Sequence, residues 1–327
     1  MIATVKEIHT KYCRKQKEIK NYENEKVYGS ISSSRMMTGM LAGCGSSDSS
    51  EDTSSDSGST ESTSEWDAAN DITIVSREDG SGTRGAFTEL FGIVEEVDGE
   101  EVDMTTADAQ ITNNTSVMMT TVAENEYAIG YISLGSLDDS VKALKIDGAE
   151  ATADNVVSGD YKVSRPFNIA VAKDLNNEVA TDFMNYIMST EGQAVVEEEG
   201  YIPVADVAAF EGTQPSGDAV VGGSSSVSPV MEKLIEAYKE VNPNANIELQ
   251  TSDSTTGMTN TIEGSYDIGM ASRELKEDEA SQLDATVMAT DGIAVIVNNN
   301  NPTEDMTSDQ VKSIYTGEVY SWDEIAE

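Results

Sequence analysis

An α/β fold with mixed sheets, divided into two domains, is what this sequence predicts, and three observations predict it. Short apolar runs at 72–75, 219–221, 247–249 and 293–297 have the length of strands, while stretches at 180–188 and 310–315 carry the apolar spacing of helices. Three times along the chain a strand leads into a hydroxyl-rich loop and then into a helix. At 327 residues the chain is long enough for two domains of ordinary size with a substantial core.

The chain opens on a polar, lysine-rich stretch up to Arg35, followed by Leu41-Ala42-Gly43-Cys44-Gly45, which is similar to the lipobox of bacterial lipoproteins, where the cysteine is lipidated. A secretory apolar core of about 7–15 residues is missing before it. Residues 1–44 therefore read as a signal region that is defective or misassigned, with Cys44 as the lipidation site. Residues 45–70 read as a disordered, acidic, Ser-rich tether, since Ser, Asp, Glu, Thr and Gly cannot bury a core.

The strand of Ile72, Ile74 and Val75 runs straight into Ser76-Arg77-Glu78-Asp79-Gly80-Ser81-Gly82-Thr83-Arg84, a turn that opens a helix. Unpaired N–H groups of a first helical turn carry the positive end of the helix dipole, so such a junction can hold an anion. Gly80 and Gly82 permit close approach of the main chain, Ser81 and Thr83 add hydroxyl donors, and Arg77 adds a planar fork. Asp79 is an acceptor. A carboxylate repels a fully deprotonated oxyanion but accepts from one that still carries O–H, as phosphate does at neutral pH and sulfate does not.

A second unit runs from the strand at 219–221 through Gly222-Gly223-Ser224-Ser225-Ser226 to a helix begun near Pro229, where the fixed φ of proline suits a helix start. A third runs from 247–249 through Ser252-Asp253-Ser254-Thr255-Thr256 into a helix from Met258 to about Glu263. Each loop taken singly is an ordinary capping turn. Three facing helix starts would supply the ring of neutral donors that a desolvated tetrahedral dianion requires.

Composition narrows the classes. The net charge is −40, from 20 Lys and Arg against 60 Asp and Glu, which argues against a nucleic-acid partner. It does not argue against a small anion, because charges beyond a Debye length of roughly 8 Å are heavily screened. The single histidine, His9, lies outside every motif, and the two cysteines, Cys13 and Cys44, are both near the N-terminus. His-based catalysis, a zinc knuckle and a disulfide framework lack material, and neither a metal site nor a cofactor is expected.

With these motifs assembled, the chain from about 72 to 327 resembles the extracellular phosphate-binding protein of the phosphate-specific ABC transporter, in its Gram-positive lipoprotein form. Ala128-Ile129-Gly130-Tyr131-Ile132-Ser133, Ser164-Arg165-Pro166-Phe167, Glu199-Gly200-Tyr201-Ile202-Pro203-Val204 and Asp267-Ile268-Gly269-Met270-Ala271-Ser272-Arg273 complete the match. The resemblance implies a two-domain periplasmic-binding-protein-like fold of type II with two hinge strands, near 165–167 and 295–297, giving one lobe of 72–165 plus 297–327 and another of 166–296. It also implies a phosphate site at Arg77, Asp79, Ser81, Gly82, Thr83, Ser225, Ser226, Ser254 and Ser272. Thr255 is a further candidate donor, and Arg273 is open among a ligand contact, an ion pair at the cleft and a structural role. Some members carry Asp where Arg273 stands, so discrimination here would rest on Asp79 alone.

The order departs from the family as well. The usual second half comes first, so the chain reads as a circular permutant, with a truncated tandem gene as the competing account; as a permutant its old ends are joined through 205–218 and its new ends, near Trp322 and Ile72, should lie side by side. The implied partners are inorganic phosphate and a membrane permease, with a monomer tethered to the outer face of the membrane only by lipid. A phosphoryl-transfer enzyme on the same socket would need a metal cluster or an activated nucleophile, and no D-x-D-x-D-G loop, P-loop lysine or H-E-x-x-H is present. A phosphate sensor or adhesin on the same fold is the remaining alternative.

Overall fold

A computed structural model of the chain describes residues 66–97 and 100–326; Cys44, the region read as a signal and most of the tether lie outside them. Eight strands run along the main path of a ten-stranded sheet: β1 (Thr73–Arg77), β2 (Gln110–Thr112), β3 (Ala128–Ser133), β4 (Ser164–Ala172), β5 (Gly217–Ser224), β6 (Ala245–Ser252), β7 (Ile268–Ala271) and β8 (Leu283–Val297). The helices that matter here are α1 (Gly82–Leu90), α2 (Thr115–Ala123), α3 (Glu178–Ile187), α4 (Thr190–Glu198), α5 (Ser228–Val241), α6 (Ser254–Ile262) and α7 (Ser308–Tyr315). Along the sheet the order is β6-β5-β7-β4-β8-β3-β1-β2.

Two strands carry the sheet from one lobe to the other. The 15-residue β8 pairs antiparallel with β4 from Leu283 to Gly292 and with β3 from Ile293 to Val297. Of the remaining neighbours, β1 runs parallel to β2 and β3, and β5 parallel to β6 and β7, while β7 meets β4 antiparallel. Side-chain alternation explains why these segments are buried on both faces. In the first lobe Ile74, Ile293, Val295 and Val297 pack with Phe87 of α1 and Ile314 of α7, whereas Val75, Ala294 and Ile296 pack with Met118 and Val122 of α2. In the second lobe Ile169, Val221 and Ile268 pack with Phe183 of α3 and Leu234 of α5, and Ala170 and Ala271 pack with Met258 of α6.

The crossing on β8 comes earlier than expected. The apolar clusters separate between Val163 and Phe167 on one strand and between Ala289 and Ile293 on the other, so 295–297 belongs to the first lobe's core. At the crossing, Arg165 of β4 faces its register partner Asp291 of β8, with Nη2 3.1 Å from Oδ2, and both side chains are buried. Asp291 Oδ1 accepts from Ser133 Oγ at 2.9 Å, which ties the pair to β3. Burial pushes the Asp291 carboxyl up and the Arg165 guanidinium down, and each partner's charge opposes the other's shift.

The new ends do lie side by side. Asp71 bridges Ser321, Ile72 N–H donates to the Tyr320 carbonyl at 2.7 Å, and Asp323 N–H donates to the Ala68 carbonyl at 2.8 Å. Residues 66–70, expected as the end of the tether, pack instead: Trp66 stacks on Tyr127 at 4.7 Å and meets Trp322 edge-on, an apolar contact that outweighs the polar residues around it. The connection at 205–218 is likewise held down, by Phe210 against Tyr186 and Tyr238 and by Thr213 N–H donating to Asp182 at 2.8 Å.

Candidate functional site

All three strand–loop–helix units end at one place between the lobes. β1 delivers Arg77, and Ser81 caps α1, its Oγ accepting from Arg84 N–H at 3.4 Å. Tyr131 of β3 holds the end of β1, its hydroxyl accepting from Arg77 N–H at 3.1 Å and sharing a hydrogen with Ser76 Oγ at 2.8 Å. The Tyr131 ring stacks on Phe87 with centroids 3.9 Å apart, and burial pushes its phenol up to about 12, so it stays neutral in this role.

The second lobe brings its own hydroxyls. β5 ends at Ser224, whose Oγ donates to Ser272 Oγ at 2.9 Å, and α5 begins at Ser228 with Pro229 in its first turn. Asp253 caps α6 by accepting from Thr256 N–H at 2.8 Å, which leaves Ser254 pointing at Ser272, whose N–H donates to Ser254 Oγ at 3.1 Å. Across the gap, Thr83 Oγ1 and Ser226 Oγ are 2.8 Å apart, and Arg77 Nη2 donates to Ser225 Oγ at 3.1 Å. Gly82 sits so close that an added Cβ would lie 2.4 Å from Ser254 Oγ and 2.8 Å from Ser272 Oγ.

Arg77, Gly82, Thr83, Ser225, Ser226, Ser254 and Ser272 are thus gathered in one buried cluster, with Ser81 at its edge as the cap of α1. Two residues join them that sequence reasoning did not single out. Thr115 Oγ1 lies 3.4 Å from Ser226 Oγ at the start of α2, and Ser224 bonds Ser272 as described. The signal for Thr115 was the same as for the others, a polar run (Asn113-Asn114-Thr115-Ser116) before a helix.

Asp79 is not brought into this cluster. Its side chain is 100% exposed and pairs with Arg84 Nη1 at 3.2 Å, because the backbone at Asp79 and Gly80 turns the chain outward before α1 begins. The carboxylate that touches the cluster is Glu78, which takes Arg77 Nε and Nη2 at 2.8 Å each. Arg273 forms a closed fork with Glu279, at 2.8 Å for both nitrogen–oxygen pairs. Of the roles open to it, an ion pair is the one the geometry displays.

Among the described residues, Arg77 is the one cation that bonds into this hydroxyl cluster. Among the described residues no three His, Cys, Asp or Glu side chains gather into a metal-binding group. Neutral donors from two lobes around one guanidinium can hold an oxyanion once water has been expelled.

Two α/β lobes joined by a pair of crossing strands, with polar side chains converging between them, define a solute-binding protein. The model of the PBP superfamily domain matches residues 35–191 and 208–327. A protein named "Phosphate-binding protein PstS 2" from Streptococcus agalactiae is 55% identical over 257 residues, which span 78% of this chain and 88% of that one. The crystal structure of a phosphate-binding protein of a phosphate ABC transporter from Streptococcus pneumoniae TIGR4 is 42% identical, with a TM-score of 0.63, covering 78% of this chain and all of that one. This chain belongs to the phosphate-binding protein family of the PBP superfamily.

The coverage also speaks to chain order. The Streptococcus agalactiae protein aligns over most of its length, so it shares the order found here. "Phosphate-binding protein PstS" from Bacillus subtilis is 33% identical over 138 residues, only 42% of this chain and 43% of that one, as expected when one half alone runs in the same order.

Proposed function

We propose that this protein binds inorganic phosphate between its lobes and delivers it to the permease of an ABC transporter, without acting on it chemically. The observation that carries this reading is the pair of cross-lobe contacts, Thr83 with Ser226 and Arg77 with Ser225: the hydroxyls that face each other are those that would face a bound tetrahedral anion from both sides. Closure about the crossing strands removes the ligand from water, and the helix starts of α1, α5 and α6 then supply donors for its oxygens. Among the described residues no helix is long and apolar enough to cross a membrane. The protein acts as a monomer at the outer face of the membrane, held there by lipid on Cys44. Calorimetry with phosphate, arsenate, sulfate and molybdate tests the assignment; sulfate binding as tight as phosphate, or turnover of a phosphate ester with magnesium, would overturn it.

Rejection of sulfate belongs to a carboxylate of the first loop. Asp79 is the acceptor singled out by sequence, and Glu78 is the one bonded to Arg77. An acceptor that is half-buried, as Glu78 is, costs more when left facing an unprotonated ligand than the fully exposed Asp79 does, because water rescues the latter more readily. Glu78→Gln is therefore expected to narrow the phosphate-to-sulfate affinity ratio more than Asp79→Asn does; competition titrations giving the reverse ranking would return the role to Asp79.

Gly82 supplies a third test. A methyl group there would overpack the cluster, at a cost of about 1–3 kcal/mol, unless Ser254 and Ser272 withdraw. Gly82→Ala is expected to weaken phosphate binding by about tenfold to a hundredfold while leaving the urea midpoint near that of the parent protein, since alanine suits the first turn of a helix.

A further inference from the structure

One set of bonds between the lobes lies beside the hydroxyl cluster and uses none of its members. The Gly80 carbonyl, in the first lobe, accepts from Thr255 N–H at 3.2 Å and from Thr255 Oγ1 at 3.3 Å. Thr255 is in the first turn of α6, where N–H groups have no partner within the helix, so this bond is made at no expense to the helix. Thr255 Oγ1 in turn accepts from Arg273 Nη2 at 3.1 Å. The direction of the relay is forced: a guanidinium only donates and a carbonyl only accepts, so the hydroxyl must accept from Arg273 and donate to Gly80.

Arg273 has nothing left on its terminal nitrogens for a ligand. Nη1 donates to the Glu274 carbonyl at 2.9 Å and to Glu279 Oε2, and Nη2 donates to Glu279 Oε1 and to Thr255. Two hydrogens on each nitrogen are thereby used. Glu279 is itself fixed, accepting from Lys276 N–H at 2.9 Å, so the guanidinium is held rigidly against α6. The seam also depends on glycine: Gly80 has a φ of +86°, and an added Cβ would come within 2.6 Å of Asp253 Oδ1 and 3.3 Å of Thr255 Cβ.

We propose that Arg273, Thr255 and the Gly80 carbonyl form a clasp that fastens the closed lobes and slows the escape of phosphate, with Arg273 a positioning residue that never touches the ligand. The clasp rests on the phosphate reading above for its ligand, but its bonds are independent of the site. Entry of an anion exchanges hydroxyl–hydroxyl contacts in the cluster for contacts with the anion's oxygens; the Gly80–Thr255 seam is unaffected by that exchange and adds its bonds only when the lobes meet. Its strength therefore appears in the rate of opening and hence of release.

Dissociation of radiolabelled phosphate, chased with excess unlabelled phosphate, tests this on the full chain. Thr255→Val, which removes the relay hydroxyl, and the double variant Arg273→Gln with Glu279→Gln, which removes the fork without stranding a buried charge, are each expected to speed release by about tenfold. Thr255→Ser is expected to behave as the parent. The association rate, the phosphate-to-arsenate ratio and the urea midpoint of Thr255→Val should not move, which separates a clasp from a ligand contact or a folding defect. Unchanged release in both variants, or a changed arsenate ratio, overturns the clasp. Should the parent protein bind no phosphate, the functional reading fails separately; the clasp is then judged by small-angle scattering, where a radius of gyration no larger in Thr255→Val than in the parent overturns it.

Discussion

Arg77→Ala is expected to weaken phosphate binding by about thirtyfold or more, because truncating the buried member of a hydrogen-bonded charge pair costs about 2 kcal/mol or more even where its partner, Glu78, is half-buried. Arg77 is 2% exposed, is the one cation in the cluster, and reaches Ser225 across the gap while holding Glu78 with two nitrogens. Its removal takes away a charge-assisted donor and also leaves the Glu78 carboxylate uncompensated beside an incoming anion. Two further variants separate these effects. Arg77→Lys should recover little, since a point charge cannot span Glu78 and Ser225 together. Arg77→Ala combined with Glu78→Gln should recover part of the loss by removing the repulsion. Calorimetric affinities within about threefold of the parent for Arg77→Ala would place the anion elsewhere.

The largest loss of stability is expected at the crossing strands. Asp291→Ala strands the Arg165 guanidinium among buried neighbours, and breaking a buried ion pair from one side costs about 3–5 kcal/mol. Asp291 also anchors Ser133 of the first lobe, so the change removes a bond that joins β8 to β3 where the sheet passes between lobes. Replacing both partners with apolar residues, Arg165→Met with Asp291→Leu, should restore most of the unfolding free energy, since the pair's attraction and its desolvation nearly cancel. Urea denaturation is the measurement. A loss below about 1 kcal/mol for Asp291→Ala would show that water reaches the site and that the pair is not sealed.

Much of the molecule could be read from neighbours along the chain. The strand at 72–75, the hydroxyl loops and the helix starts depend on residues within a few positions, and they appear as β1, α1, α5 and α6 with their limits moved by a few residues. The side-by-side ends followed from the order of the motifs set against that of the resembled family, and are seen in the Asp71–Ser321 bridge. Less legible were the partners of charged side chains. Glu78 and Asp79 are adjacent and chemically alike, yet one lies on Arg77 and the other in solvent, a difference set by how the turn at Gly80 faces the second lobe.

Arg273 shows the same limit, since its fork is closed by a residue six positions later that only burial against α6 selects. The position of the hinge was misjudged for a related reason. Residues 283–297 form one 15-residue strand whose apolar run begins only at Ile293, so the change of neighbour from β4 to β3 falls beside Asp291 and before the run at 295–297. Fold class and the anion-holding helix starts were therefore written in local patterns, which obey short-range sterics and capping, while chain order came from the resemblance to the family. The choice of carboxylate, the clasp and the point of bending emerged from packing between distant segments, because desolvation and pairing are settled by what surrounds a side chain in space.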